Sequence, residues 1–480
     1  MLPSSYEFTP LDEIIPPLFF GIIYAFPCDE HRREVALKAL QEGYNKLLEL
    51  WPYLGGDIVR DNCSDKRPGH LSLVISEKNP DTEIPVVDFK NLPNSWTHSY
   101  TEVLEAGLPV SWLDASIFAP YAAGNIITTK PFTVQANWIP GGCLLTCYFS
   151  HAVIDATGAA RILQCWAKLC RKFQDQPDAV GGMTQHLSVA TPRIDFSASG
   201  RSFDSLKTRP ELWKLLGLDC EGNWTRRPGT LSTPTVIPAA GTSSPGMRTV
   251  VFTVSPSSAA RLKEDITTRL KNRWISTNDA LAALLWRSVM RARFPNATKP
   301  LNGMQRTEDP IVRVNVPVNG RSLFQPKLPS SYINNVIFHC TPGLPLSKVV
   351  GPEPLAQLAS TIRDGINVIK SDTTLVRDAA VLASLIPDIR SLESEFKDFL
   401  GSELATSSWV DFPFYDVDFG PVLGKPDLIR IPRGQWTEFC LLGPRKQNGD
   451  VEVFISLKSD QMERLLVDTE FQSYAQFVCE

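Results

Sequence analysis

The 480-residue chain has no lysine- or arginine-rich block; its 48 basic and 52 acidic side chains are interspersed and leave a net charge of −4. A nucleic-acid surface is therefore not expected, although the scattered cations suffice for one small anionic ligand. The ten cysteines include no CxxC pair, and Cys143 and Cys147 stand four apart on a strand-like segment, which suits no zinc site. Reduced, mostly buried thiols of a cytoplasmic protein are expected instead. There is no Gly-x-Ser-x-Gly elbow, no Walker phosphate loop and no Rossmann glycine fingerprint, and the six histidines form no His-Glu-x-x-His metal site. Long apolar runs are also lacking. The one stretch that needs a check, Ile14 to Phe26, contains Pro16, Pro17 and Gly21 and follows Asp12-Glu13 rather than basic residues. It reads as a buried strand after a proline turn, not as a signal peptide or membrane span.

Length alone suggests about two to four domains. Apolar periodicity predicts strands over 18–25, 70–76, 132–139, 142–150, 248–254, 312–318, 333–340, 404–412, 435–442 and 451–457. It predicts helices over 30–50, 156–170, 257–270, 277–293, 354–370, 375–385 and 459–466. Between residues 181 and 246 proline, serine, threonine and glycine dominate, which marks a crossover linker, partly structured around Leu212 to Leu218. The expected architecture is α/β: an N-terminal lobe (1–180), the linker (181–246) and a C-terminal lobe (247–480), each with strands and helices mixed.

The most informative stretch is His151-Ala-Val-Ile-Asp155 with Gly158. It lies where the apolar strand ending at Ser150 gives way to the helix beginning near Ala156, so a side chain there can face a cavity from a rigid backbone. Most histidines only hydrogen-bond within a fold. One at a strand end, with an unperturbed pKa near 6.5, can also take a proton at neutral pH. Asp155 has two readings: orienting the imidazole as in a triad, or capping the helix and bracing the loop. A second element, Asp416-Val-Asp418-Phe-Gly420-Pro-Val-Leu-Gly424-Lys425-Pro426, reads as a loop. Asp418 is a lone acid between apolar neighbours, and Arg321 is the partner expected for it in a structural ion pair. With no nucleophile elbow or metal motif, His151 acting directly on a substrate hydroxyl or amine is the simplest chemistry.

His151-x-x-x-Asp155-x-x-Gly158 followed far downstream by Asp418-Phe419-Gly420 resembles the BAHD superfamily of coenzyme A-dependent acyltransferases, in particular the fungal branch that includes trichothecene 3-O-acetyltransferase. The resemblance extends to Ser276-Thr-Asn-Asp-Ala280, to Ser407-Ser-Trp409 and to Leu423-Gly-Lys-Pro426, and covers nearly the whole chain. It implies two similar lobes of the chloramphenicol acetyltransferase type with a channel between them. His151 would be the general base and Asp155 the acid that holds its loop. Asp418 and Arg321 would form the structural pair, and Ser408 and Trp409 would lie beside the reacting carbonyl. Ser276 and Thr277, with Gly420 and Lys425, would lie toward the coenzyme. The co-substrate implied is acyl-coenzyme A, with acetyl the family default and no metal. The partner is a small acceptor bearing a hydroxyl, with no nucleic acid or membrane, and the protein a monomer of secondary metabolism. One departure from the plant pattern is the insertion of Pro421-Val422-Leu423 before Gly424. Two other readings remain: a condensation-type domain using carrier-bound thioesters, although Ser150 stands where those domains carry a second histidine, and a non-catalytic binding protein on the same fold.

Overall fold

The computed structural model describes residues 5–16, 18–61, 67–75, 83–88, 96–118, 130–175, 200–220, 246–271, 273–297, 309–324, 327–329, 331–352, 354–433 and 439–480. Ser76, residues 435–438 and most of the expected linker, including Pro228 to Pro245, lie outside the described residues.

Sixteen strands run through the described residues in three sheets. A small sheet of β1 (Ser5–Glu7), β3 (Asp57–Asp61) and β4 (His70–Val74) flanks the N-terminal portion. The N-terminal sheet contains β2 (Phe19–Pro27), β5 (Val86–Asp88), β6 (Phe132–Ile139) and β7 (Gly142–Ser150). Here β6 and β7 form the hairpin that Pro140-Gly141 foretells, with Gly141 at φ 78°. The C-terminal sheet contains β8 (Met247–Val254), β9 (Ile311–Asn319), β10 (Ile337–Cys340), β11 (Gly343–Pro345), β12 (Glu403–Ser408), β14 (Phe439–Arg445), β15 (Val451–Lys458) and β16 (Gln476–Cys479). Its order is β10-β9-β12-β14-β15-β8-β16, with β11 beside β9.

The remaining strand, β13 (Leu428–Arg430), leaves the C-terminal portion and adds antiparallel to β2, so the N-terminal sheet runs β13-β2-β7-β6-β5. The exchange is held by a buried ion pair, Arg430 Nη1 to Glu452 Oε2 at 2.7 Å, while the same guanidinium donates to the Leu108 carbonyl at 3.0 Å. Two differences from the sequence reading concern strand length. The expected strand 404–412 stops at Ser408: the Trp409 N–H makes the last rung, to the Leu442 carbonyl at 2.8 Å, and the chain then turns, with the Phe412 N–H donating to the Trp409 carbonyl at 2.9 Å. Regular pairing in the expected strand 333–340 begins only at Ile337, and residues 333–336 form a buried polar loop. Within the expected linker, residues 200–220 carry two short helices, Phe203–Lys207 and Pro210–Leu216.

Alternation along the strands sorts the side chains into two large cores. Phe20, Ile22, Tyr24 and Phe26 of β2 pack with the helices Arg33–Leu50 and Ala156–Asp175. That core continues onto one face of the C-terminal sheet through Val251, Leu441 and Phe454. The opposite face of the same sheet, with Val312, Val314, Phe338, Cys340 and Leu442, packs on the helices Thr277–Arg293 and Leu355–Ser371. The first face looks toward the N-terminal sheet and its helices, and it is the one that matters for the site. Among the described residues no helix is long and apolar enough to cross a membrane.

Candidate active site

β7 is buried along its whole length and delivers His151 at its end. The His151 N–H donates to the Leu18 carbonyl at 2.7 Å, which continues the β2–β7 pairing by one step. Its carbonyl accepts from Asn335 Nδ2 at 2.9 Å. The imidazole meets the Phe20 ring edge-on at a centroid distance of 5.2 Å, and Phe20 in turn meets Trp409 at 6.1 Å. Residues 152–155 are buried, whereas His151 keeps part of its surface accessible. Burial lowers its pKa below the ordinary histidine value, opposed in part by its own carbonyl and by the Asp155 carboxylate. The ring is therefore neutral at neutral pH, the state in which it can accept a proton.

Asp155 does not hydrogen-bond that ring. Its two oxygens take a bidentate pair from Arg321, Nη1 at 2.7 Å and Nη2 at 2.8 Å, together with the Gly158 N–H at 2.9 Å and the Val336 N–H at 3.2 Å. Arg321 also donates to the Tyr332 and Asn334 carbonyls. Gly158 is required here, because a Cβ would overlap the Ile333 carbonyl oxygen. The start of the Ala156–Asp175 helix is thus clamped against the loop before β10.

The pairing expected between Asp418 and Arg321 is not formed. Arg321 is committed to Asp155, and Asp418 is bound by Arg171, near the far end of the same helix. Fifteen residues separate Ala156 from Arg171, so at 1.5 Å per residue the Asp418 loop lies about 22 Å along the helix from the His151 end. There Asp418 Oδ1 accepts from the Gly420 N–H at 2.9 Å, and Gln174 bridges the Phe419 carbonyl and the Val422 N–H. Gly420 has φ 91°, and a Cβ on it would come within 2.5 Å of Gln174 Nε2. Lys425 is exposed and 3.3 Å from Asp416. Neither Gly420 nor Lys425 is near the imidazole.

Strand register separates the two residues expected beside the reacting carbonyl. Ser408 pairs with Leu442, on the face packed against helices, and Ser407 pairs with Leu441, on the face shared with Trp409. The serine that accompanies Trp409 toward the N-terminal portion is Ser407. Period-2 alternation, which puts positions 407 and 409 on one side, was the available signal.

Ser276 and Thr277 begin the Thr277–Arg293 helix. Ser276 Oγ accepts from the Asp279 N–H, and the Asp279 carboxylate accepts from the Ser276 N–H at 2.6 Å and from Arg363 Nε at 2.7 Å. Beside them opens a recess of about 230 Å³ lined by Arg273, Trp274, Ser360, Arg363, Asp364 and Asn367. Trp274 is largely exposed, with the Arg363 guanidinium 4.7 Å from its ring centre. This group lies on the helix side of the C-terminal sheet and is not brought together with His151.

Three residues near His151 escaped the sequence reading. Asn335 links the His151 carbonyl to the buried Asp12, whose Oδ1 accepts its N–H at 2.9 Å and its Nδ2 at 3.0 Å. Burial pushes the Asp12 carboxyl up to about 7, against hydrogen bonds from Asn335 and Thr9 that favour the charged form. His339, on β10, is electrostatically coupled to His151. A polar residue at a buried loop or on one face of a short strand was the only trace they left in the sequence.

Residues 18–170 match the family model described as the trichothecene 3-O-acetyltransferase-like N-terminal domain, and residues 238–472 match the Transferase family. An eremophilane O-acetyltransferase of Penicillium rubens is 33% identical over 481 residues, covering 99% of each chain. An eremophilane O-acetyltransferase of Penicillium roqueforti is 32% identical, again covering 99% of each. Among solved structures, F. graminearum TRI101 complexed with coenzyme A and deoxynivalenol superimposes with a TM-score of 0.76 over 99% of both chains at 20% identity, a likeness of fold. By sequence match along its whole length and by fold, the chain belongs to the Transferase family of BAHD-type acyltransferases, among the fungal O-acetyltransferases.

Proposed function

We propose that the chain acetylates a hydroxyl of an eremophilane-type sesquiterpenoid, using acetyl-coenzyme A, with His151 as general base. The observation that carries this is a neutral, partly accessible imidazole fixed at a strand end by the Leu18 carbonyl and Asn335, with no carboxylate on its ring. The acceptor class follows from the names of the two Penicillium relatives. In the step proposed, the imidazole removes the hydroxyl proton as the oxygen attacks the thioester carbonyl. The C–S bond then breaks, and the proton passes to the departing thiolate. Ser407 and the Trp409 side are the candidate donors to the oxyanion. The Ser276–Arg363 recess suits the nucleotide end of the coenzyme. It offers a flat exposed indole and two arginines, although Asp279 and Asp364 already pair with those cations. On this reading residues 1–180 supply the base and 247–480 the coenzyme side. The enzyme acts as a cytoplasmic monomer, in keeping with the nine free cysteines among the described residues.

The test is purified protein with acetyl-coenzyme A and an eremophilane alcohol, product followed by mass spectrometry. Acetyl ester formation is expected, lowered about 10²-fold or more in His151→Ala with folding intact. No ester with any eremophilane alcohol would remove the acceptor class, and near wild-type turnover in His151→Ala would remove the base.

A further inference from the structure

β10 carries a second imidazole on the face that looks toward His151. Phe338 and Cys340 belong to the core packed against helices, so the alternation puts His339 between them on the opposite face. Asn315 of β9 shares that face, since Val314 and Val316 on either side of it point into the same helix-side core. His339 Nδ1 and Asn315 Oδ1 are 3.1 Å apart.

The Phe396 ring lies 5.7 Å from the imidazole, and Gly217 closes the other side. Gly217 ends the Pro210–Leu216 helix at φ 71°, and a Cβ there would stand 2.8 Å from His339 Cδ2 and 3.0 Å from Nε2. The glycine backbone packs against that edge of the ring, where no side chain would fit. The segment around it is fixed against the C-terminal portion by Glu395 N–H to the Gly217 carbonyl at 3.0 Å and Asp219 N–H to the Glu393 carbonyl at 2.9 Å. His339 and His151 are both partly accessible, and the loop that holds the His151 carbonyl through Asn335 runs straight into β10 and His339. Burial and the neighbouring His151 hold His339 neutral, with its pKa pushed down to about 4. A neutral imidazole that donates from Nδ1 to Asn315 has Nε2 left as an acceptor.

We infer that His339, oriented by Asn315, is a specificity-determining residue of the acceptor site, and that its Nε2 receives a second hydroxyl of the acceptor, distinct from the one acylated. This rests on the acyl-transfer reading above. It gives the acceptor two fixed points, the reacting hydroxyl at His151 and another at His339, on an otherwise apolar body.

The experiment compares an eremophilane diol with the mono-alcohol that lacks the distal hydroxyl, both with acetyl-coenzyme A. Wild type is expected to favour the diol about 10-fold in kcat/KM, the worth of one hydrogen bond. His339→Leu should erase the preference through the KM for the diol. It should leave the KM for acetyl-coenzyme A unchanged, and His339→Gln should restore part of the preference. The inference is overturned if wild type shows no preference or if His339→Leu keeps it. It is equally overturned if His339→Leu also raises the KM for acetyl-coenzyme A, which marks a structural role. Failure of wild type to acetylate either alcohol overturns the acceptor class together with this inference, whereas the His339→Leu outcomes bear on His339 alone.

Discussion

Asp155 separates two mechanisms that the motif alone leaves open, and removing its partner tests which one holds. In Arg321→Leu the carboxylate keeps only the Gly158 and Val336 N–H groups, at 2.9 and 3.2 Å, and loses two charge-assisted bonds of 2.7 and 2.8 Å. Both side chains are at least nine-tenths buried, so solvent does little to replace the loss. Breaking such a pair from one side costs about 3–5 kcal/mol. With a urea slope of about 3 kcal/mol/M, the unfolding midpoint falls by about 1–1.7 M. Asp155→Asn should behave alike, because the amide nitrogen then faces the guanidinium. Activity should fall in both along with stability, and in Asp155→Asn the pH–rate midpoint should move further down, because the carboxylate charge that supports the imidazolium is gone. If Asp155→Asn unfolds at the wild-type urea concentration yet loses turnover, the carboxylate acts on the imidazole and the bracing argument is wrong.

The pH–rate profile of the wild type follows from burial of His151: its folded pKa lies below 6.5, so kcat/KM should stay level from neutral pH down past that value and fall only below it. A midpoint at or above 6.5 contradicts the desolvated ring. His339, near 6.5 when unfolded and about 4 when folded, contributes stability that is complete above 6.5 and lost as the pH falls toward 4, readable as a declining Tm across that window. Ser407→Ala should lower kcat about 10²-fold if that hydroxyl meets the oxyanion, whereas Ser408→Ala, on the helix-packed face, should stay near wild type; equal effects refute the assignment by register. Asp418→Asn should cost no more than about 1 kcal/mol, because its bond to Arg171 is half-exposed. Gly420→Ala should cost more, from its φ of 91° and its contact with Gln174, and the reverse order in urea unfolding would overturn the loop analysis.

Periodicity was enough to read the elements around the site. The β6–β7 hairpin and the helix Thr277–Arg293 have the bounds that apolar spacing and turn residues dictate, and the helix after His151 starts where expected but runs on past residue 170 to Asp175. The errors share one physical origin. Which acid meets which arginine is a tertiary fact: Asp155 and Asp418 both needed a cation, and Arg171 carries no local mark that sets it apart on an exposed helix face. Ser407 and Ser408 are identical as residues, and only the register of β12 against β14 tells them apart. The strand ran shorter than expected because the chain turns after Trp409, the Phe412 N–H closing back on the Trp409 carbonyl, which hydrophobicity does not foretell. The departure of β13 to the N-terminal sheet likewise depends on Arg430 and Glu452 meeting across the fold.

These tertiary facts bear on the base itself. The His151 backbone is tied on one side to Leu18 and on the other to Asn335, which belongs to the loop before β10 and is itself held by Asp12. Four residues later Asp155 is tied to Arg321, which follows β9. The imidazole therefore keeps its place only while the loop before β10 and the end of β7 stay in register. The same loop leads directly into His339, two strands from Ser407. A displacement of that loop would move the proposed base and the second imidazole together, so the distance between the two proposed acceptor contacts is set by one short segment, residues 332–339. That is why substitutions in this segment should alter the choice of acceptor, whereas those in the Asp418 loop, about 22 Å away along the helix, should alter stability alone.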